Sequence, residues 1–422
     1  MPSTPALLRA GVRAVNASGP LLERIGYRPG ALDEPSLLDA ASRLAGGLRD
    51  FGGDEFLEPL RILLRGYETE ARLTFLGRLA ARRDTLSLLA NRLRLVDDRK
   101  RHAGIADERI RQPLFIVGLP RTGSTLLHHL LAQDPASRVA QAWEVMAPSP
   151  PPERARYETD PRIREAERQL RWLDLLAPDF KAIHPLGAQL ALECIAIMGY
   201  AFLSPRFHTT YHVPTYQEWL ERQDLRPAYQ LHRCVLQHLQ WRTPADRWVL
   251  KAPSHLWGFE SLFAIYPDAL VVQTHRDPLT ALASVASLTA VLQGAFTDHL
   301  DLAEIGLEVT RRWATGLERA MQVRRSGILP AERFLDVNYD ELVADPLGVV
   351  RGLYAHFDLP FREETALRMR AHLADYPQGK HGAHIYSLAA FGLDPGELAH
   401  RFKGYCEHFG IRPEGASPAS VD

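Results

Sequence analysis

Residues 114–125, Leu-Phe-Ile-Val-Gly-Leu-Pro-Arg-Thr-Gly-Ser-Thr, decide how this chain folds. An apolar run ends in a loop framed by Gly118 and Gly123, and a long amphipathic segment follows. That is the strand, loop, helix order of a phosphate cradle. Glycine admits positive φ and lets the backbone approach an anion closely. Amide N–H groups of the loop and of the first helical turn lack intrahelical partners, so they are available to an oxyanion. Ser124 stands where an ATPase or GTPase carries the lysine that reaches the β/γ-phosphates, and the loop's cation is Arg121. Such a loop suggests a phosphate carried on a nucleotide other than ATP or GTP; an ordinary strand-to-helix turn is the competing reading, and the second half of the chain decides between them.

A second stretch extends this reading. Arg247-Trp-Val-Leu-Lys-Ala-Pro253 predicts a short buried strand, with Ser254 and His255 just beyond it. Ala269-Leu-Val-Val-Gln-Thr-His-Arg276 predicts another, after which Asp277-Pro278 starts a helix carrying Ser284 on its early turns. An arginine at a strand's C-terminal end and a serine two turns into the next helix can meet on one phosphate. Open parallel sheets bind ligands in that crevice, outside the carboxyl ends of their strands.

These segments together resemble the sulfotransferases that use 3′-phosphoadenosine 5′-phosphosulfate (PAPS). The resemblance rests on the Pro-Arg-Thr-Gly-Ser-Thr loop (a form found in a bacterial-type branch), the Leu-Lys-Ala-Pro-Ser-His segment and the Arg276–Ser284 spacing. Asp336-Val-Asn-Tyr-Asp-Glu-Leu-Val-Ala-Asp-Pro346 resembles the family's Tyr-Glu-Asp-Leu…Asp-Pro element. Gly379-Lys-His-Gly, Tyr386 and Phe391-Gly-Leu resemble its bacterial-type C-terminal segment. The likeness runs, in order, over roughly residues 113–410.

The resemblance implies roles by position. Arg121, Thr122, Gly123, Ser124 and Thr125 hold the 5′-phosphosulfate, and Arg276 with Ser284 binds the 3′-phosphate. Tyr339 lies near the adenine, and Lys380 and His381 belong to a basic loop closing on the 3′-phosphate. Lys251 sits near the sulfonate. For the base that takes the acceptor's proton two positions stand open. His255 follows the cytosolic pattern with a wider spacing, and Glu144, in Gln-Ala-Trp-Glu-Val, corresponds to the glutamate of the tyrosine-modifying branch. Sulfuryl transfer, like phosphoryl transfer, passes a loose in-line transition state governed by positioning and electrostatics. Arg121 and Lys251 neutralise charge on the departing phosphate in this scheme, which calls for no metal.

Composition fits such an enzyme. Hydrophobic content of 46% against 24% charged residues excludes wholesale disorder. A net charge of −1 supplies no global basic field for nucleic acid. Cys194, Cys234 and Cys406 are too dispersed for a metal or disulfide framework. With no signal-type N-terminus and no uninterrupted apolar run of spanning length, a cytoplasmic protein is expected. The expected acceptor is a hydroxyl or amine of a small molecule, lipid or glycan. Oligomeric state is not readable.

The expected fold is α/β, a P-loop-type parallel sheet flanked by helices. Residues 1–110 alternate leucine and alanine with arginine at helical spacing and predict a helical N-terminal region. Ser36-Leu-Leu-Asp39 reads as a capping box. The core spans 111–410, with a helical insertion over 160–245 and a helical C-terminal closure over 361–410, followed by a tail at 411–422. Glu193 falls in an apolar stretch, 188–203, that predicts a buried helix. Two rival functions stand beside transfer: a P-loop kinase or NTPase, opposed by the absent loop lysine, and a non-catalytic PAP- or PAPS-binding protein, opposed by the retained Arg121, Lys251 and His255.

Overall fold

The computed structural model describes residues 29–176, 186–375 and 388–412, with residues 11, 14–19 and 24. The chain forms two compact units. One contains residues 111–139, 245–288 and the segment from 301 onward; the other contains the N-terminal region to 110, residues 140–244 and residues 289–300.

The first unit is built on a five-stranded parallel sheet in the order β2-β3-β1-β4-β5. Its strands are β1 (Leu114–Gly118), β2 (Ser137–Arg138), β3 (Arg247–Lys251), β4 (Leu270–His275) and β5 (Phe334–Asn338). Its helices include α1 (Ser124–Leu131), α2 (Pro278–Gly294, here to Leu288), α3 (Leu302–Arg325), α4 (Tyr339–Ala344), α5 (Pro346–His356) and α6 (Pro395–Phe409). β1 is central, with Leu114 opposite Val249 on one side and Leu270 on the other. Every residue of β1, β3 and β4 is buried, because a parallel sheet is covered on both faces. That is why these strands read as continuous apolar runs.

Strand alternation sorts side chains between the two faces. On the first face Leu114, Ile116, Val249, Leu270, Val272 and Val337 pack with Leu127 and Leu130 of α1, Leu342 of α4 and Val350 and Leu353 of α5. On the second, the Phe115 ring meets Tyr266 and His255, and Phe334 meets Phe259 and Phe263. The order reverses direction at β1, with β3 and β2 to one side and β4 and β5 to the other. The crevice therefore opens over the end of β1, where the glycine loop begins.

The second unit is helical, with long helices at Glu34–Leu44, Leu57–Thr69, Phe75–Arg101, Pro161–Leu176 and Arg226–Gln240. The segment sharing this unit with the N-terminal region starts at 140, ahead of the expected 160. Two expectations need correction. Asp33, not Ser36, caps the first of these helices, its carboxylate accepting from the Ser36 amide at 2.9 Å. The 188–203 stretch is not one helix. Carbonyls of Ala188 and Leu190 accept from the Trp143 and Ala142 amides, so helix begins only at Cys194 and ends at Met198. Glu193 is the half-buried residue before it. No described helix is long and apolar enough to cross a membrane.

Candidate active site

The glycine loop is held from below by threonines. The Thr122 hydroxyl donates to the Leu119 carbonyl at 2.6 Å and lies 2.5 Å from the Thr274 hydroxyl, which donates to the Val117 carbonyl at 3.1 Å. Thr122 is fully buried, so its hydroxyl braces the loop and its contribution to an anion is left to the backbone. Gly118 has φ +130°, and a Cβ there would lie 2.3 Å from the Thr274 carbonyl oxygen. Gly123 has φ +83°, and a Cβ would press on Leu342 at 2.8 Å and Tyr339 at 3.2 Å. Both glycines are fixed by conformation and by space.

Arg121 also has positive φ, +70°, and is exposed. A non-glycine residue there costs about 1–2 kcal/mol. Observed strain of this kind concentrates at ligand clamps. Its carbonyl accepts from Arg276 Nη1 at 3.0 Å. The Arg276 guanidinium in turn lies 3.9 Å from the centre of the Tyr339 ring. Three positions far apart in sequence thus converge beside Gly123: the loop cation, the arginine after β4, and the first residue of α4. Tyr339 is there because β5 ends at Asn338 and the helix starts at once.

Lys251, last residue of β3, has the same parity as Val249 and so emerges on the α1 face. Its ammonium donates to the Thr125 hydroxyl at 2.9 Å, and it is nearly fully buried. Ser124, immediately before Thr125, is buried in the first turn of α1. Ser284, in α2, is 4% exposed with a buried hydroxyl that makes no hydrogen bond. A buried hydroxyl without a partner is costly unless something else supplies one. A ligand phosphate accepts from such a group.

The two candidate bases are placed differently. His255 lies in a 3-10 turn after β3, fully buried, its ring edge-on to Phe115 at 5.1 Å on the sheet's second face. Lys251 and the glycine loop are on the first. The tight turn after β3 carries the chain around the strand end, which sets His255 and Lys251 on different faces. Glu144 belongs to the other unit, in the first turn of the helix Ala142–Met146. Its carboxylate, fully buried, accepts from the Gln141 amide at 3.0 Å and the Tyr157 hydroxyl at 2.9 Å. Lys380 and His381 lie outside the described residues.

One group was not singled out from sequence. His275, last residue of β4, is buried, with Nδ1 2.8 Å from the Tyr405 hydroxyl and Nε2 2.9 Å from Asp336. Arg324 of α3 donates through two nitrogens to the same carboxylate, at 2.7 Å each. The signal was parity: alternate residues Gln273 and His275 must leave the sheet on the face opposite Thr274.

The model of the sulfotransferase family matches residues 113–363, more than half of the chain. The chain belongs to the sulfotransferase family. It is an enzyme of sulfonate transfer, with PAPS as the donor its family uses. This removes the kinase reading. Sulfotransferase STF1 from Mycobacterium tuberculosis H37Rv superposes with a TM-score of 0.79 at 36% identity, over 88% of this chain and 98% of that one. Sulfotransferase STF9 from Mycobacterium avium superposes with a TM-score of 0.83 at 30% identity, over 91% and 98%. A sulfotransferase of Mycobacterium bovis and Mycobacterium tuberculosis named for omega-hydroxy-beta-dihydromenaquinone-9, Stf3, is 27% identical over 70% of this chain and 76% of its own length.

Proposed function

We propose that this sulfotransferase binds PAPS across the end of β1 and passes its sulfonate to a hydroxyl of a lipid or other apolar small molecule. The observation that carries the donor site is the convergence of Arg276, Tyr339 and the Arg121 carbonyl beside Gly123. The residues fit the donor. Loop amides and Ser124 receive the 5′-phosphosulfate, Arg276 and the unpartnered Ser284 hydroxyl receive the 3′-phosphate, and Tyr339 offers a ring near the adenine. Arg121 and Lys251 supply positive charge where the departing phosphate oxygen becomes negative, and a buried Lys251 does so with little screening by water. Lys380 and His381 stand for closure over the 3′-phosphate.

For the acceptor's proton we propose Glu144 over His255, since the His255 imidazole is packed in the core of the opposite face. Glutamine at the third helical position keeps a capping box, so Glu144→Gln removes the base and spares the helix start. A fall in kcat of about 10²–10⁴ is expected, with PAP affinity and Tm unchanged. Retained activity in Glu144→Gln would return the role to His255. Support for the acceptor class is the name of Stf3, which acts on a hydroxylated menaquinone. The test is calorimetric titration with PAP, ATP and Mg²⁺ as control, followed by transfer of labelled sulfonate from PAPS to a panel of long-chain, phenolic and sugar alcohols. PAP binding with labelling of apolar alcohols is the expected result. PAP binding without transfer to any of them would favour the non-catalytic reading. Cytoplasmic location belongs to the same proposal.

A further inference from the structure

His275 and Arg276 are neighbours at the end of β4, and alternation sends their side chains to opposite faces. Arg276 goes to the donor side, onto Tyr339 and the Arg121 carbonyl. His275 goes to the other, and everything it meets there is fixed. Nε2 is on Asp336 of β5, Nδ1 is on Tyr405 of α6, and the ring stacks on Phe409 at 3.9 Å. Asp336 is anchored by the two-nitrogen bond from Arg324, which also donates to Gln273 at 2.9 Å. Burial opposes ionisation of Asp336, but the bonds from Arg324 and His275 outweigh it and hold the carboxyl well below the usual range. Burial likewise keeps the His275 imidazole neutral against the pull of Asp336. The network then assigns the tautomer: Nε2–H donates to Asp336 and Nδ1 accepts from the Tyr405 hydroxyl.

We propose that His275 is a positioning residue, which pins the end of β4 to Asp336 and Tyr405 and so sets where Arg276 meets the donor's 3′-phosphate. The proposal rests on the 3′-phosphate reading of Arg276. A guanidinium on a long stem binds a phosphate well only if its backbone origin is fixed, because lost rotamer freedom is otherwise charged to binding. The adjacent residue provides that anchor with three directional contacts.

The experiment compares Kd values for PAP and for 5′-AMP, which lacks the 3′-phosphate, in the full-length chain. Arg276→Ala should weaken PAP by about 100-fold and 5′-AMP by less than about threefold, the loss of a charge-assisted pair. His275→Ala should weaken PAP by about tenfold with 5′-AMP again nearly unchanged, and should add nothing further in the Arg276→Ala background. His275→Gln, whose amide reaches the Nε2 position, should recover most of the loss. Tyr405→Phe, which keeps the ring packing, should show a smaller loss and serves if His275→Ala does not fold. Equal weakening of both nucleotides, additivity with Arg276→Ala, or unchanged PAP binding in the His275 and Tyr405 variants would overturn the positioning role. If Arg276→Ala itself leaves the PAP to 5′-AMP ratio intact, the 3′-phosphate reading fails first, and it takes the positioning role with it.

Discussion

The two faces of the parallel sheet end in opposite ways. On the α1 face the strands finish in a glycine loop, a buried lysine bonded to Thr125 and an arginine laid on a tyrosine ring. On the other face they finish in histidines, His255 packed on Phe115 and His275 stacked on Phe409. Both sets come from the same short segments. What separates them is parity along each strand and the tightness of the turn that follows. A basic residue near a strand's C-terminal end therefore identifies a site only once its face is known.

The largest effect expected from this contrast is at Lys251. Lys251→Ala should lower kcat by about 10²–10³ while leaving PAP affinity within a few-fold, since the missing charge matters as the transition state forms. Steady-state kinetics beside PAP titration would separate the two; a loss confined to PAP affinity would make Lys251 a ground-state binder. On the opposite face His255→Ala should behave as a core truncation. A stability loss of about 2–4 kcal/mol by urea unfolding is expected, with kcat and PAP affinity of the folded fraction within about threefold. A large fall in kcat without destabilisation would break the distinction between the faces.

The smallest effect is gradual and concerns pH. Burial lowers His128, whose Nε2 lies 3.2 Å from the Val249 carbonyl, and His232 from 6.5 to about 3. These groups stay neutral in the folded protein while the unfolded chain takes up protons below about pH 6.5. Stability is therefore complete above that value and falls on acidification towards pH 3, at up to about 1.4 kcal/mol per pH unit for each histidine. Denaturant midpoints at pH 7, 6, 5 and 4 would show this. A flat profile would mean that the two rings are not held neutral by burial.

Much of the sheet was legible because buried parallel strands leave uninterrupted apolar runs: the strand expected over 247–253 starts at Arg247 and ends two residues early, at Lys251, and β4 ends one residue before Arg276. The converging set of Arg121, Arg276 and Tyr339 was legible as a motif, since strand ends fix where those residues emerge. Less was legible where backbone partners come from distant segments. The 188–203 stretch has helical periodicity, but its carbonyls are taken by residues 142 and 143. The face on which His255 lies was not legible, because spacing is silent about face. The Asp336–His275–Tyr405 network escaped notice because its members are spread over 130 residues, and the motifs around His275 and Asp336 drew attention to Arg276 and Tyr339 instead.

Arg121 carries one more consequence, for anyone who would engineer this protein. Its left-handed backbone is the conformation in which glycine loses nothing, so a library selected on thermal stability alone would drift towards glycine at position 121. Such a winner would melt later and keep its fold, yet lack the guanidinium proposed to face the departing phosphate. At this position robustness and turnover pull in opposite directions, and a screen that rewards only the first will discard the second.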